Sequence, residues 1–249
     1  MSKPYSVAGP RLYLDAARLG QMSPTAQQAA AEFTRLSGAG DEHFGLYFSE
    51  FLRDGCSALN RSVTSTPALA RSWRGVETLK AGLASLAGAV DTKVLLANRS
   101  AELVQLGLRA MFACSRRVLI TDLTWPGHLR FLHRYRQRVR LCRLRREVFH
   151  NNITSEELIN WIDSEFVRHR ADALFLPAVS HDGIRLPIAG IRRAIERRSE
   201  LRFLLVDGSQ QFCQMPAGTA VNASDVYVTG AHKWLGAHYP MGIAMILRQ

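Results

Sequence analysis

The sequence predicts an α/β protein in which a mainly parallel sheet is covered by helices on both faces. Three observations carry this. From about residue 90 onward, short β-type runs alternate with helical stretches. There are seven such runs. Between them stand helix-start signals, clearest in the capping-box pattern Thr154-x-x-Glu157. The 249 residues, 47% of them apolar, suffice for one sizeable core or two small ones.

In order along the chain, residues 1 to about 20 read as an extended arm containing Leu12-Tyr13-Leu14-Asp15. Residues 24 to 90 read as mostly helical. Pro24 is placed as a first-turn proline ahead of an alanine-rich stretch, and Leu79–Val90 forms a small-residue helix. The strand-like runs are Val94–Leu96, Arg117–Ile120, Val139–Cys142, Ala173–Leu176, Phe203–Val206, Val226–Val228 and Gly242–Leu247. Helices are expected over Ala101–Phe112, after Pro126, from Thr154, and over Pro187–Glu200. No internal repeat or low-complexity linker interrupts the pattern.

Composition removes several classes. No apolar run approaches the roughly 20 residues of a membrane helix. The first residues lack the apolar stretch of a secretory signal, which points to a cytoplasmic protein. Cys56, Cys114, Cys142 and Cys213 are far apart and form no CxxC pair, which argues against structural zinc and a disulfide framework. The net charge is +11, and of 32 basic residues only Lys3, Lys80, Lys93 and Lys233 are lysines. Such an Arg-rich surface serves phosphate contacts or simply spreads solvated charge. Few residues remain as candidates for amine chemistry.

In sheets of this kind ligands sit at the carboxyl ends of the strands. Asp207 follows Phe203–Val206 there, as a functional carboxylate or as a cap or loop ion pair, with Gln210 three residues on. Thr229 and Gly230 follow the next run and lead into His232, Lys233 and Trp234. Taken alone, Lys233 reads as a snorkelling surface residue or as a reactive amine. Ser100 and Ala101 open a helix directly after a strand, where backbone N–H groups can hold a phosphate. Trp125-Pro126 and Ser180-His181 follow two further strands.

This ordered set resembles the class V aminotransferase family, the pyridoxal-phosphate (PLP) enzymes of fold type I, which includes aminotransferases, cysteine desulfurases, epimerases and kynureninases. The resemblance spans roughly residues 12 to 249. Its most specific parts are Val206-Asp207-Gly208-Ser209-Gln210 and Gly230-Ala231-His232-Lys233-Trp234. It implies a three-layer large domain over residues 21–249, behind an arm of residues 1–20, with a seven-stranded sheet whose last strand is antiparallel. It further implies that Lys233 forms the Schiff base with the cofactor and later moves protons at the substrate Cα. Asp207 would pair with the pyridinium nitrogen. Gln210 would bond near the ring oxygen, with Ser180 and His181 within reach of the ring. His232 would lie beside the phosphate or the ring. Ser100, with the amides of Ala101 and Glu102, would cradle the phosphate, and Trp125 would stack on the ring.

The sequence departs from the family pattern in places. Ser100-Ala101 stands where two adjacent hydroxyls are common; Gly230-Ala231-His232-Lys233 stands where Ser-Gly-His-Lys is common, so any hydroxyl contact there falls to Thr229; and His181 stands where Asn is common. Desulfurases usually place a proton-carrying His at the stacking position, whereas the indole of Trp125 is only a donor. That favours an aminotransferase or epimerase over a desulfurase; the aminotransferase leads, with an epimerase, lyase or desulfurase of the same family as alternatives. His128, one turn further on, reads as a helix-surface residue, and Cys213 as a core thiol. The family's C-terminal small domain, which usually supplies the Arg for the substrate carboxylate, has no counterpart after Gly242–Leu247. The expected partners are an amino acid, a keto acid, a second copy of the chain, and a separate C-terminal-domain protein. Two other readings compete: a non-catalytic relic or partner subunit, and a basic nucleic-acid-binding protein resting on the arginine-rich, aromatic run from Arg130 to Arg146.

Overall fold

A computed structural model describes residues 13–37, 44–55, 72–237 and 239–247. Leu12, Lys3 and Cys56 lie outside these residues, as does part of the stretch read as helical before residue 90. Helices α1 (Pro24–Ser37), α2 (Phe44–Asp54) and α3 (Val76–Ala87) precede β1 (Lys93–Ala97) and α4 (Ser100–Cys114). Then come β2 (Val118–Thr121), α5 (Pro126–Leu132), a 3-10 turn, β3 (Val139–Cys142), α6 (Arg145–His150), α7 (Ser155–Arg168) and β4 (Ala173–Pro177). The order ends with α8 (Ile188–Glu196), β5 (Phe203–Asp207), α9 (Gly218–Asn222), β6 (Val226–Gly230) and β7 (Gly242–Ile246).

The seven strands form one sheet in the order β1-β7-β6-β5-β4-β2-β3. β2 through β6 run parallel where they pair, and β7 lies antiparallel between β1 and β6. This is the expected mainly parallel sheet with its last strand reversed.

Alternation explains why the strands read as unbroken apolar runs. Leu174, Leu176, Leu204 and Val206 face one core, with Ile162, Phe166 and Ile191 of the helices. Ala173, Phe175 and Leu205 face the other, under Leu103, Leu108 and Met111 of α4. A strand buried on both sides has no polar face to show. The capping box forms as expected: Glu157 donates its amide to Thr154 Oγ1 at 3.2 Å, and Thr154 donates its own to Glu157 Oε2 at 2.7 Å.

Three expectations shift. α3 begins three residues before Leu79 and ends at Ala87, where Gly88 takes a left-handed conformation and its amide bonds back to Ser85. α8 stops at Glu196, short of Glu200. The segment 13–20 is not extended: Ala16–Arg18 form a turn, and the Tyr13 hydroxyl donates to the Leu19 carbonyl at 2.6 Å.

One buried carboxylate ties the sheet to its cover. Asp225 is 2% exposed; its Oδ2 accepts the Leu204 amide at 2.7 Å, and its Oδ1 lies 3.3 Å from Arg192 of α8. Asp225→Ala strands a buried N–H and a half-paired guanidinium, so urea unfolding should show a loss of about 2–3 kcal/mol. Asp225→Asn keeps one acceptor and should lose less.

Candidate active site

The carboxyl ends of β5 and β6, the first turn of α4 and the start of α5 meet at one edge of the sheet. The meeting depends on register. Gly242, the first residue of β7, pairs with Ala97 of β1 on one side and with Gly230 of β6 on the other. A Cβ on Gly242 would lie 2.5 Å from the Arg99 carbonyl and 2.6 Å from the Ser100 amide nitrogen. A Cβ on Gly230 would lie 3.0 Å from His232 Nδ1 and 3.5 Å from Ser100 Oγ. Two glycines in register therefore let the first turn of α4 approach the β6–Lys233 loop. His232 Nδ1 is buried with no partner among the described residues. Burial, reinforced by repulsion from Lys233 and Arg99, lowers the pKa of His232. No side chain caps the start of the 15-residue α4, and its Glu102 amide donates to the Arg99 carbonyl at 3.1 Å.

Asp207 closes β5, 8% exposed. Its Oδ1 accepts the Ser209 amide at 2.9 Å, and its Oδ2 accepts a hydrogen bond from His128 Nε2 at 2.9 Å. Burial alone would raise this carboxyl. The hydrogen bond and charge of His128, with the Ser209 contact, outweigh it and hold the group at about 2. Asp207 is thus an ionised carboxylate in an apolar wall. Lys233 is half-buried; burial lowers its pKa, and the electrostatic pull of Asp207 only partly offsets this.

His128 is not the helix-surface residue the sequence suggests. It is 6% exposed and edge-on to Trp125 and Phe175, with ring centroids 5.1 and 5.6 Å away. α5 has only seven residues, and its first turn faces the sheet. Trp125 itself is 48% exposed, and its indole lies over the bare Cα of Gly127, where a Cβ would come within 2.0 Å.

Four other candidates spend their polar atoms locally. The Ser180 hydroxyl accepts the amides of Asp182 and Ile184, closing a turn. His181 stands on that turn with Nε2 3.3 Å from Asp182. Thr229 is fully buried, with its hydroxyl donating toward the Gly208 carbonyl at 3.5 Å. Gln210 donates from Nε2 to the Ala17 carbonyl at 2.8 Å and accepts the Trp234 indole at 3.2 Å. Cys213, read as a core thiol, is exposed, in a turn with φ +64°. In the arginine run, Arg138 donates to the Phe112 carbonyl, Arg140 to that of Gln137, and Arg145 pairs with Asp182.

Solved structures share this arrangement of strands and helices. A C-DES lysine-to-alanine mutant with glycine covalently linked to its PLP cofactor superposes with a TM-score of 0.66 at 16% identity, over 93% of this chain and 55% of that one. A NifS-like protein from Rickettsia africae gives 0.62 at 9% identity, covering 93% and 56%. A cysteine desulfurase from Thermococcus onnurineus gives 0.60 at 14%, covering 94% and 53%. The sheet is that of fold type I. The chain spans little more than half the length of these fold type I structures. No protein-family model and no curated protein matches the sequence. Among the described residues, no helix is long and apolar enough to cross a membrane.

The His128–Asp207 pair sets a pH dependence. A carboxyl held below its unfolded value of about 4 stabilises the fold above that pH and loses the contribution as the pH falls through its folded value. Wild type should therefore lose stability between about pH 4 and about pH 2. His128→Phe keeps a ring in the pocket and removes the donor. The Asp207 carboxyl carbon should then titrate above about 4 by NMR, and the variant should be less stable at neutral pH.

Proposed function

We propose that residues 21–249 form the PLP-binding large domain of an enzyme acting on an amino acid, with Lys233 bonded to the cofactor aldehyde and transamination as the reaction. The observation that carries this reading is Lys233, half-buried with a lowered pKa, set against the ionised Asp207 at one sheet edge. The chain's residues fit the cofactor. His232 Nδ1, buried with no partner among the described residues, stands with Ser100 Oγ around the bare Cα of Gly230, beside the uncapped start of α4. That is a cradle for a phosphate dianion.

When bound, the cofactor supplies an electron sink for the pair released on breaking a substrate Cα–H bond. Ser100, the Ala101 amide and His232 Nδ1 would hold the phosphate, and the Glu102 amide would join them only by leaving the Arg99 carbonyl. Asp207 accepts a hydrogen bond from a protonated ring nitrogen and so keeps the proton there; His128 fixes the carboxylate. Lys233 carries a neutral amine at lower pH than an exposed lysine, able to attack a carbonyl carbon and later to take a proton at the substrate Cα. Trp125 offers a flat apolar face to the ring. The contact with the ring oxygen assigned to Gln210, and those assigned to Ser180, His181 and Thr229, would require these side chains to leave the bonds described above.

Transamination is favoured because the ring-face position holds Trp125, while the nearby histidine has its Nε2 engaged by Asp207. A keto acid would then be the second substrate, with a second copy of the chain as the partner. Adding PLP to the purified chain should give a visible absorbance band, and Lys233→Ala should give none. The rate of band formation should rise with pH through the lowered pKa of Lys233. Conversion of an amino acid and a keto acid by the loaded protein would establish transamination. Sulfide released from cysteine would reassign the reaction to a desulfurase. A band without turnover of any amino acid would point to a non-catalytic relic or subunit.

A further inference from the structure

The proposed cofactor lysine sits on a loop that secondary structure hardly holds. Between β6 and β7, residues 231–241 form neither helix nor strand among those described. Within this stretch, Ala237 donates its amide to the Ala231 carbonyl at 3.2 Å, and Ala231 donates to Met241 at 2.8 Å. Three further bonds reach the loop from a distant part of the sequence. Gly20 donates its amide to the His232 carbonyl at 2.8 Å, and Ser23 donates to the Gly236 carbonyl at 3.0 Å. Gln210 closes the set, bridging the Ala17 carbonyl and the Trp234 indole with the two ends of one amide.

The fit at Gly20 leaves no room for a side chain. A Cβ there would lie 1.6 Å from the Lys233 carbonyl oxygen and 3.3 Å from that of His232. At the other end Gly236, at φ +64°, has the Gln21 carbonyl 3.1 Å from where its Cβ would be. The segment also holds its own shape: the Tyr13 hydroxyl donates to the Leu19 carbonyl, and Arg18 and Leu19 donate their amides to the Asp15 carbonyl. A preformed turn is thus laid across the loop, grasping backbone atoms of residues 232 and 236 on either side of the reactive position.

We infer that the segment from Tyr13 to Ser23 is a clamp on the Lys233 loop, and that Gln210 is a positioning residue which fastens the clamp rather than a group that touches the cofactor. The functional weight of this rests on the reading of Lys233 given above; the mechanical part does not. A lysine on a loop held at two backbone points presents its amine at a fixed height beside Asp207. Releasing the clamp lets the loop sample other conformations, which lowers the fraction competent to bond the aldehyde.

The test uses the full chain without cofactor first. Gly20→Ala and Gln210→Ala should each raise amide hydrogen exchange at Ala231 and Ala237 by about tenfold, with the β4 and β5 amides unchanged. Arg18→Ala removes only an exposed ion pair with Asp15 and should change neither. Trp234→Phe spares the Gln210 bond to Ala17 and should retain most of the protection lost in Gln210→Ala. With PLP added, both clamp variants should form the visible band more slowly, and the pH midpoint of the band should move toward that of an exposed lysine. Wild-type loop exchange in both Gly20→Ala and Gln210→Ala would overturn the clamp. So would a loosened loop whose band forms at the wild-type rate and pH midpoint. If the loop loosens but no protein forms a band, wild type included, the clamp stands as a mechanical device and the cofactor reading fails. Should Gly20→Ala not fold, Gln210→Ala decides alone, since it deletes side-chain atoms without forcing a clash.

Discussion

The site depends on a steric constraint, the pairing of two glycines across a reversed strand. β7 enters the sheet between β1 and β6 with Gly242 level with both Ala97 and Gly230. Neither glycine has a side chain, so the first turn of α4 settles against the sheet edge with the Ser100 hydroxyl beside Gly230. A Cβ on Gly242 would push into the Arg99–Ser100 backbone. The juxtaposition of Ser100, Gly230 and His232 follows from that close approach.

A second constraint is electrostatic. Asp207 is buried, yet it is charged because its two oxygens are separately engaged by Ser209 and His128. The charge is useful because it is not free to rotate toward water. The same apolar surroundings bear on both ionisable partners: they lower the pKa of Lys233, while the hydrogen bond from His128 keeps Asp207 anionic. In the function proposed above, a lysine of lowered pKa beside a fixed anion suits a ring nitrogen that must keep its proton.

Much of this was legible in the sequence. The strands announced themselves because burial on both faces makes them continuous apolar runs, and the capping box at Thr154 is a local motif with a local cause. Asp207, Lys233, His232 and Ser100 stood out because they follow strands. What the sequence left unread has a different cause. Whether His128 turns inward depends on how the short α5 lies against β4, which no local pattern records. The Ser180 hydroxyl is taken by a turn two to four residues ahead of it, and the Gln210 amide by a carbonyl nearly two hundred positions earlier. Residues 13–20 lack periodicity because they fold as a single turn of local bonds laid against the Lys233 loop rather than as a repeating element.

The place of β1 also governs the order of assembly. β1 is an edge strand whose one neighbour is β7, and Thr92 beside it bonds to the Ile246 carbonyl across 154 positions of chain. Until β7 arrives, β1 has no strand to pair with, and α4 is held by its packing on β5 and β6 and by the Arg138 side chain, which donates to the Phe112 carbonyl. The approach of Ser100 to Gly230 and His232, which Gly242 permits, therefore depends on this closing strand joining the two ends of the sheet. A chain lacking β7 would keep its central parallel strands and lose the strand that brings these three residues together.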